Sequence, residues 1–331
     1  MASAELEKLI SEAVKGDRKS ISRLITMLER GDKQSFHYLV NNIKDSYTAS
    51  YIVGFVGPPG AGKSTLLGKL VKKLLEKQGG KIGVLTVDPT SLLSGGSFMG
   101  NRIRMVEDLK GINQVYVRSF SAGHSLGGLT VGVYFASKLL TLAGYNTVFI
   151  EGVGAGHLDV KPLLYSHTRV AVLTPTSGDI IQMVKAGVME LCDLYIINRA
   201  DEGNPFFVKS QLEETLRLRI HPDKWVPPVL TTIATAEKGV QEVAEAILQH
   251  KKYLEDSGEY CRRIKDMVVT ELKDIFTTEV NEAFESFMEK NKTLIDKYLK
   301  NDENKTAIIS YIVEGVTEEI VRRWVVDVAE T

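Results

Sequence analysis

Tyr51-Ile52-Val53-Gly54-Phe55-Val56, followed at once by Gly57-Pro58-Pro59-Gly60-Ala61-Gly62-Lys63-Ser64, decides the fold of this chain. The first stretch is a short, apolar, β-branched run of the kind that makes a buried strand. The second matches G-x-x-x-x-G-K-[ST], and a helical pattern over 64–78 follows it. Glycines let such a loop curl until its backbone N–H groups converge on an anion. The helix behind it turns its positive end to the same point. Lys63 is placed to reach the β- and γ-phosphates of a nucleotide, and Ser64 to offer a hydroxyl to Mg²⁺. Gly57, Pro58, Gly60, Ala61, Gly62 and Thr65 complete the candidate phosphate cradle.

Further apolar runs lie at 82–87, 147–150, 170–173, 194–197 and 229–232, and helical patterns such as 129–143 separate most of them. Strands alternating with helices predict an α/β fold, a mainly parallel sheet covered on both faces. Ahead of it, residues 1–47 read as small amphipathic helices. Leu6, Ile10, Ala13 and Val14 mark one apolar face, and Ile21, Leu24, Ile25 and Leu28 a second. Asp17 is placed to cap the second helix, and a third short helix is expected after Gly31-Asp32. Beyond about residue 239 the strands stop, and 239–254, 258–300 and 304–328 read as helices. The expected organisation is a helical extension at 1–47, a nucleotide-binding P-loop domain at 48–250 and a helical region at 251–331.

A second motif speaks to the base. Tyr195-Ile196-Ile197 is a strand that ends in Asn198-Arg199-Ala200-Asp201, a variant of Asn-Lys-x-Asp. An Asp here can accept from both guanine N1–H and the exocyclic amine, and adenine offers neither, which leaves a charge unpaired. Asn198 would hold the loop and reach guanine N7, while the planar Arg199 guanidinium lies over the base. Ala234 joins the candidate nucleotide-binding set. Another strand, Thr147–Ile150, runs into Glu151-Gly152-Val153-Gly154; in GTPases an acid-x-x-Gly pattern approaches the γ-phosphate, so Gly154 would donate its N–H there and Glu151 would act on a magnesium shell through water. Asp88, which ends the 82–87 run, is a second magnesium or water-positioning candidate, and the loop around Gly95-Gly96-Ser97 could order on triphosphate.

Composition narrows the field. A formal net charge of −1 over 331 residues gives no bulk attraction to nucleic acid or to an anionic membrane. No window approaches the ~18 apolar residues of a membrane span. The two cysteines, Cys192 and Cys261, are far apart, so neither a disulfide framework nor a cysteine zinc site is expected. With no visible signal segment, a cytoplasmic location is the expectation.

As a set, Gly57–Thr65, Val87-Asp88-Pro89, Gly95-Gly96-Ser97, Arg102–Met105, Leu126-Gly127-Gly128, Glu151–Gly154, Met189–Asp193, Asn198–Asp201 and Trp225–Thr232, with Gly16-Asp17-Arg18, resemble the MeaB/ArgK family of P-loop GTPases. The resemblance implies a SIMIBI-type G domain that binds GTP and GDP with Mg²⁺, and a homodimer formed through the C-terminal helices. It also implies a chaperone role toward an adenosylcobalamin-dependent mutase of the methylmalonyl-CoA mutase type, gating cofactor loading and protecting the enzyme. Lys63, Ser64, Asp88 and Glu151 map onto the family's phosphate and magnesium positions, and Asn198 and Asp201 onto its base contacts. The chain departs from the family at Asn101, where Asp is usual, and at His157, where Gln is usual. Ala155 follows Gly154 where a water-orienting Gln would stand, which predicts slow intrinsic GTP hydrolysis raised by a partner. His157 and His124 are further water-positioning candidates. The alternative, from older names in the family, is an ATP-dependent kinase of a lysine, arginine and ornithine transport system. A nickel-insertion GTPase is disfavoured by six scattered His and two isolated Cys; a non-enzymatic dimeric scaffold is a last alternative.

Overall fold

A computed structural model describes residues 3–30, 50–88, 100–121, 128–152, 160–176, 188–217, 224–293, 295 and 305–329. The expected third N-terminal helix, the Gly95–Ser97 loop, His124, Gly154, Ala155 and His157 lie outside them. The chain divides into two compact units, Met1–Thr270 and Glu271–Thr331.

The first unit is built on a seven-stranded sheet in the order β3-β2-β4-β1-β5-β6-β7. The strands are β1 (Tyr51–Val56), β2 (Ile82–Asp88), β3 (Val115–Ser121), β4 (Thr147–Glu151), β5 (Thr168–Leu173), β6 (Leu194–Asn198) and β7 (Val229–Thr232). Every pairing between these strands is parallel. Parallel strands need crossover connections, which put helices on both faces and bury the strands completely. The alternation of side chains along β1 shows the result: Val53 and Phe55 join one core, and Ile52 joins the other. The first core takes Leu66, Leu67, Leu70, Val71 and Leu74 of α3 (Lys63–Gln78), Met105 and Leu109 of α4 (Gly100–Leu109), and Val240, Val243, Ala244 and Ile247 of α8 (Val240–Ser257). The opposite core takes α1 (Ser3–Val14), α2 (Arg18–Glu29) and α5 (Gly128–Leu142). Beside them, Leu163 of α6 (Lys161–Leu164) and Leu212 and Leu216 of α7 (Pro205–Arg217) cover β5 and β6.

Two details differ from the sequence-based expectation. The first is β3, whose apolar residues are interrupted by Arg118 and Ser119. These are not solvated breaks. Arg118 donates to Glu29 Oε2 at 2.6 Å and Thr26 Oγ1 at 3.1 Å on α2, and Ser119 pairs with Thr86 Oγ1 at 2.7 Å on β2. Arg118 Nη2 and Ser119 Oγ thus have long-range polar partners that no local pattern reveals, while Arg118 Nε is buried without a hydrogen-bond partner among the described residues. The second is the face of α1: Leu6, Leu9 and Ala13 are buried, whereas Val14 is 41% exposed. The Asp17 cap is present, accepting from Ser20 N at 2.7 Å.

At the foot of the sheet a buried polar hub surrounds Asp193. Its carboxylate accepts from the Arg169 backbone N–H at 2.9 Å and from Arg263 Nη2 at 2.6 Å, and its carbonyl accepts from Trp225 Nε1 at 2.8 Å. Arg263 belongs to α9 (Glu259–Lys290), so this ion pair anchors the start of that helix to the sheet. His250 lies 3.6 Å from Asp193 and exchanges a 2.6 Å hydrogen bond with Thr168 Oγ1. In the second unit, Ala283 and Phe287 of α9 pack with Ile312, Val316 and Ile320 of α10 (Lys305–Ala329).

Burial pushes the His250 pKa down to about 4, against a raising effect of Asp193, and the His167 pKa down to about 3. Unfolded, both rings titrate near ~6.5. Below that pH the unfolded chain takes up protons that the folded chain refuses, so folding stability falls as pH drops from about 6.5 toward 4. Thermal unfolding should show a lower midpoint at pH 5.5 than at pH 7.5, and His250→Asn should reduce that difference.

Candidate functional site

The chain leaves β1, β4 and β6 at the same edge of the sheet. β1 lies between β4 and β5 in the order of strands, with Phe55 paired with Glu151 and Val56 with Ala171. This is the crevice where open α/β sheets bind ligands.

The loop out of β1 is shaped by its neighbours. At Gly57, a Cβ would sit 2.1 Å from the Val172 carbonyl oxygen of β5. At Gly62, which has φ +80°, a Cβ would sit 2.4 Å from Asn198 Nδ2. Both glycines are therefore fixed by close approach of other strands as well as by the turn. Lys63, mostly buried, donates from Nζ to the carbonyls of Gly57 at 2.8 Å and Pro58 at 3.0 Å, which holds the ammonium within the curl of the loop. Ser64 donates from Oγ to Glu151 Oε1 at 2.8 Å, across from β1's exit to β4's.

Ser64 and Glu151 are hard oxygen donors brought together beside a phosphate loop. That chemistry suits Mg²⁺, which binds through one or two protein oxygens, waters and substrate phosphates. Asp88 ends β2, one strand further from β1, and its side chain lies outside the described residues. Thr65 lies in the first turn of α3.

Asn198, buried at the end of β6, joins three elements. Its Nδ2 donates to the Ala61 carbonyl at 2.8 Å; its Oδ1 accepts from Thr232 Oγ1 at 2.9 Å and from the Ala234 backbone N–H at 3.2 Å. Ala234 opens the turn Ala234–Ala236 that follows β7, and it is brought to this corner by that bond. The next residue, Arg199, has a left-handed backbone with φ 58°, uncommon outside glycine. Its Nη1 donates to the Gly60 carbonyl at 3.3 Å, and its Nη2 pairs with Glu202 at 2.8 Å. Asp201 follows on the exposed turn beside it. The phosphate loop, the Ser64 and Glu151 oxygens and the Asn198–Asp201 turn thus share one edge. Thr232 and Glu202 were not legible in the sequence. Thr232 is joined to the site by a bond spanning 34 positions, and Glu202 has the sequence setting of an ordinary surface acid.

Known proteins resemble this chain over most of its length. A family model described as methylmalonyl Co-A mutase-associated GTPase MeaB matches residues 21–289. A Pyrococcus horikoshii protein named as a GTPase is 35% identical over 317 residues, covering 94% of this chain and 98% of that one. The mitochondrial methylmalonic aciduria type A homolog of Caenorhabditis elegans is 30% identical over 280 residues, covering 80% of this chain and 70% of that one. In fold, the chain resembles a crystal structure described as an LAO/AO transport system kinase, with a TM-score of 0.67 at 23% identity, covering 96% of this chain and 99% of that one.

Asn198→Ala would leave the Ala61 carbonyl, the Thr232 hydroxyl and the Ala234 N–H without this shared partner. At roughly 1 kcal/mol per lost bond, a stability loss of about 2–4 kcal/mol is expected in urea unfolding. Titration with a fluorescent GDP analogue should show affinity reduced by at least about tenfold, the equivalent of about 1.4 kcal/mol.

Proposed function

Because the chain belongs to the MeaB family of mutase-associated GTPases, we propose that its GTP hydrolysis times the loading and protection of an adenosylcobalamin-dependent mutase of the methylmalonyl-CoA mutase type. The observation that carries the nucleotide half of this reading is the corner at Asn198, where the side chain that opens the Asn198–Asp201 turn is bonded to the phosphate loop at Ala61 and to the Ala234 turn. Family membership and the likeness to the methylmalonic aciduria homolog support the mutase half.

The chain's own residues divide the work. The loop amides and Lys63 neutralise charge on the β- and γ-phosphates, the main protein contribution to a loose phosphoryl-transfer transition state. Ser64 and Glu151 would hold Mg²⁺, which would supply positive charge beside the phosphates. Asp201 accepts from guanine N1–H and N2, and Asn198 keeps a second amide N–H for the base while holding the loop. The sequence pattern Glu151-x-x-Gly154 assigns the N–H of Gly154 to the γ-phosphate. Ala155 brings no amide or carboxylate to orient water, so intrinsic turnover is slow and a bound mutase raises it.

Homodimerisation through the C-terminal helices has its own support. Leu272 and Phe276 on α9 are 60% and 64% exposed and stand one turn apart, with Phe284 further along. Apolar side chains of that size grouped on one helix mark an interaction surface. Phe276→Glu should halve the molar mass measured by light scattering.

The central test is a GTPase assay with and without the mutase, alongside GTP and ATP titrations. Slow turnover rising on addition of mutase, with GTP bound far more tightly than ATP, is the expected outcome. Fast turnover alone, or tighter ATP binding as the transport-kinase reading requires, contradicts it.

A further inference from the structure

Arg199 stands where Lys is usual in the base-reading motif, and the structure shows how the guanidinium is used. Two nitrogens act in different directions: Nη1 donates to the Gly60 carbonyl of the phosphate loop at 3.3 Å, and Nη2 pairs with Glu202 Oε1 at 2.8 Å. A planar fork held at both ends has a fixed plane, which a lysine ammonium on a single flexible stem cannot provide. The backbone is committed to the same arrangement. Arg199 takes a left-handed φ of 58°, and the Glu202 N–H closes the turn on the Arg199 carbonyl at 2.9 Å. Beyond it Gly203, with φ 58°, lies against Pro175 and Thr176 at the exit of β5; an added Cβ would come within 3.2 Å of the Thr176 methyl.

The side chains of this pair are 49% and 38% exposed. At such exposure an ion pair contributes little to folding, because water and salt screen it and ordering two long side chains costs entropy. A left-handed non-glycine residue is itself unfavourable. Stability therefore does not account for the arrangement, whereas orientation of the guanidinium plane does.

We propose that Glu202 is a positioning residue for guanine-nucleotide retention: it locks the Arg199 guanidinium against the Gly60 carbonyl, so that one plane joins the base-reading turn to the phosphate loop. This rests on reading the Asn198–Asp201 turn as the base site. Guanine preference remains with Asp201, and Glu202 sets how long either phosphate form of the nucleotide stays.

The test is stopped-flow release of a fluorescent GDP analogue from the full chain with Mg²⁺, for wild type, E202Q, E202D, R199A and R199A/E202Q. E202Q should release the nucleotide about three- to tenfold faster, E202D should recover part of the loss, and the double variant should be no faster than R199A. The ratio of GDP to ADP affinity should stay within about twofold in E202Q. If wild type holds GDP but E202Q releases it at the same rate or more slowly, or the two single effects multiply in the double variant, the inference is overturned while the base site stands. If wild type retains no GDP, the base-site reading fails and takes this inference with it.

Discussion

The site depends on one buried amide. Asn198 bonds the phosphate loop through Ala61, the end of β7 through Thr232 and the following turn through Ala234. These segments are far apart in sequence, and each has its own reasons to move. A phosphate loop is held by a strand on one side and a helix on the other, but its middle has no hydrogen-bonding ladder. The Asn198 bond to Ala61 ties that middle to β6, beside the Arg199 bond to Gly60, in a buried setting where an unpartnered carbonyl or N–H costs roughly 1–3 kcal/mol. The close fit of Gly62 against Asn198 Nδ2 follows from the same contact, since any side chain at 62 would collide with the amide. The consensus glycine of the motif is thus fixed here by a residue over a hundred positions away.

Parallel pairing makes this convergence possible. All of the strands point one way, so β1, β4 and β6 deliver their C-terminal residues to one edge. Lys63, Ser64, Glu151 and Asn198 come from three different crossovers and meet although the three segments are far apart in sequence. The hydroxyl of Ser64 and the carboxylate of Glu151 touch because β1 and β4 are neighbours; inserting another strand between them would move the carboxylate by about 4.8 Å. The order of strands is therefore part of the chemistry.

Much of this was legible because the phosphate loop is local. Its glycines, lysine and serine sit at fixed offsets between a strand and a helix, and all are read in one stretch. Most strands were legible for a related reason: in a doubly covered parallel sheet they are near-continuous apolar runs. β3 was not, because Arg118 and Ser119 are hydrogen-bonded to α2 and β2. Val14 has the spacing of a core residue, but the helix ends there and its side chain passes the edge of the packed surface. Thr232 and Glu202 were invisible because their importance is relational. A threonine at a strand end and an acid after a turn are ordinary until the fold places an amide beside one and a guanidinium beside the other. The Asp193 hub is similar: the residue was visible only as part of a motif, while its partners Arg169, Trp225 and Arg263 come from separate elements.

The two ends of β6 show where the fold is exact and where it is strained. At the upper end, both heteroatoms of the Asn198 amide have short-range partners, and the strand below is buried along its whole length. At the lower end, Asp193 is well bonded, but Arg169 Nε, Arg263 Nε and Nη1, and His167 Nε2 are buried without hydrogen-bond partners among the described residues. A fully partnered polar network in a low-dielectric interior is rigid and specifies one arrangement, whereas a partly partnered one carries unrecovered desolvation cost. The two ends are only about 16 Å apart, five steps of a strand. Among the described residues, the unpartnered groups of Arg169, Arg263 and His167 therefore gather at the foot of the sheet, where helix α9 is anchored, and the Asn198 amide is fully partnered. A binding site that must hold donors and acceptors to within tenths of an ångström is best placed at a satisfied end, and the proposed site lies beside the fully partnered Asn198 amide.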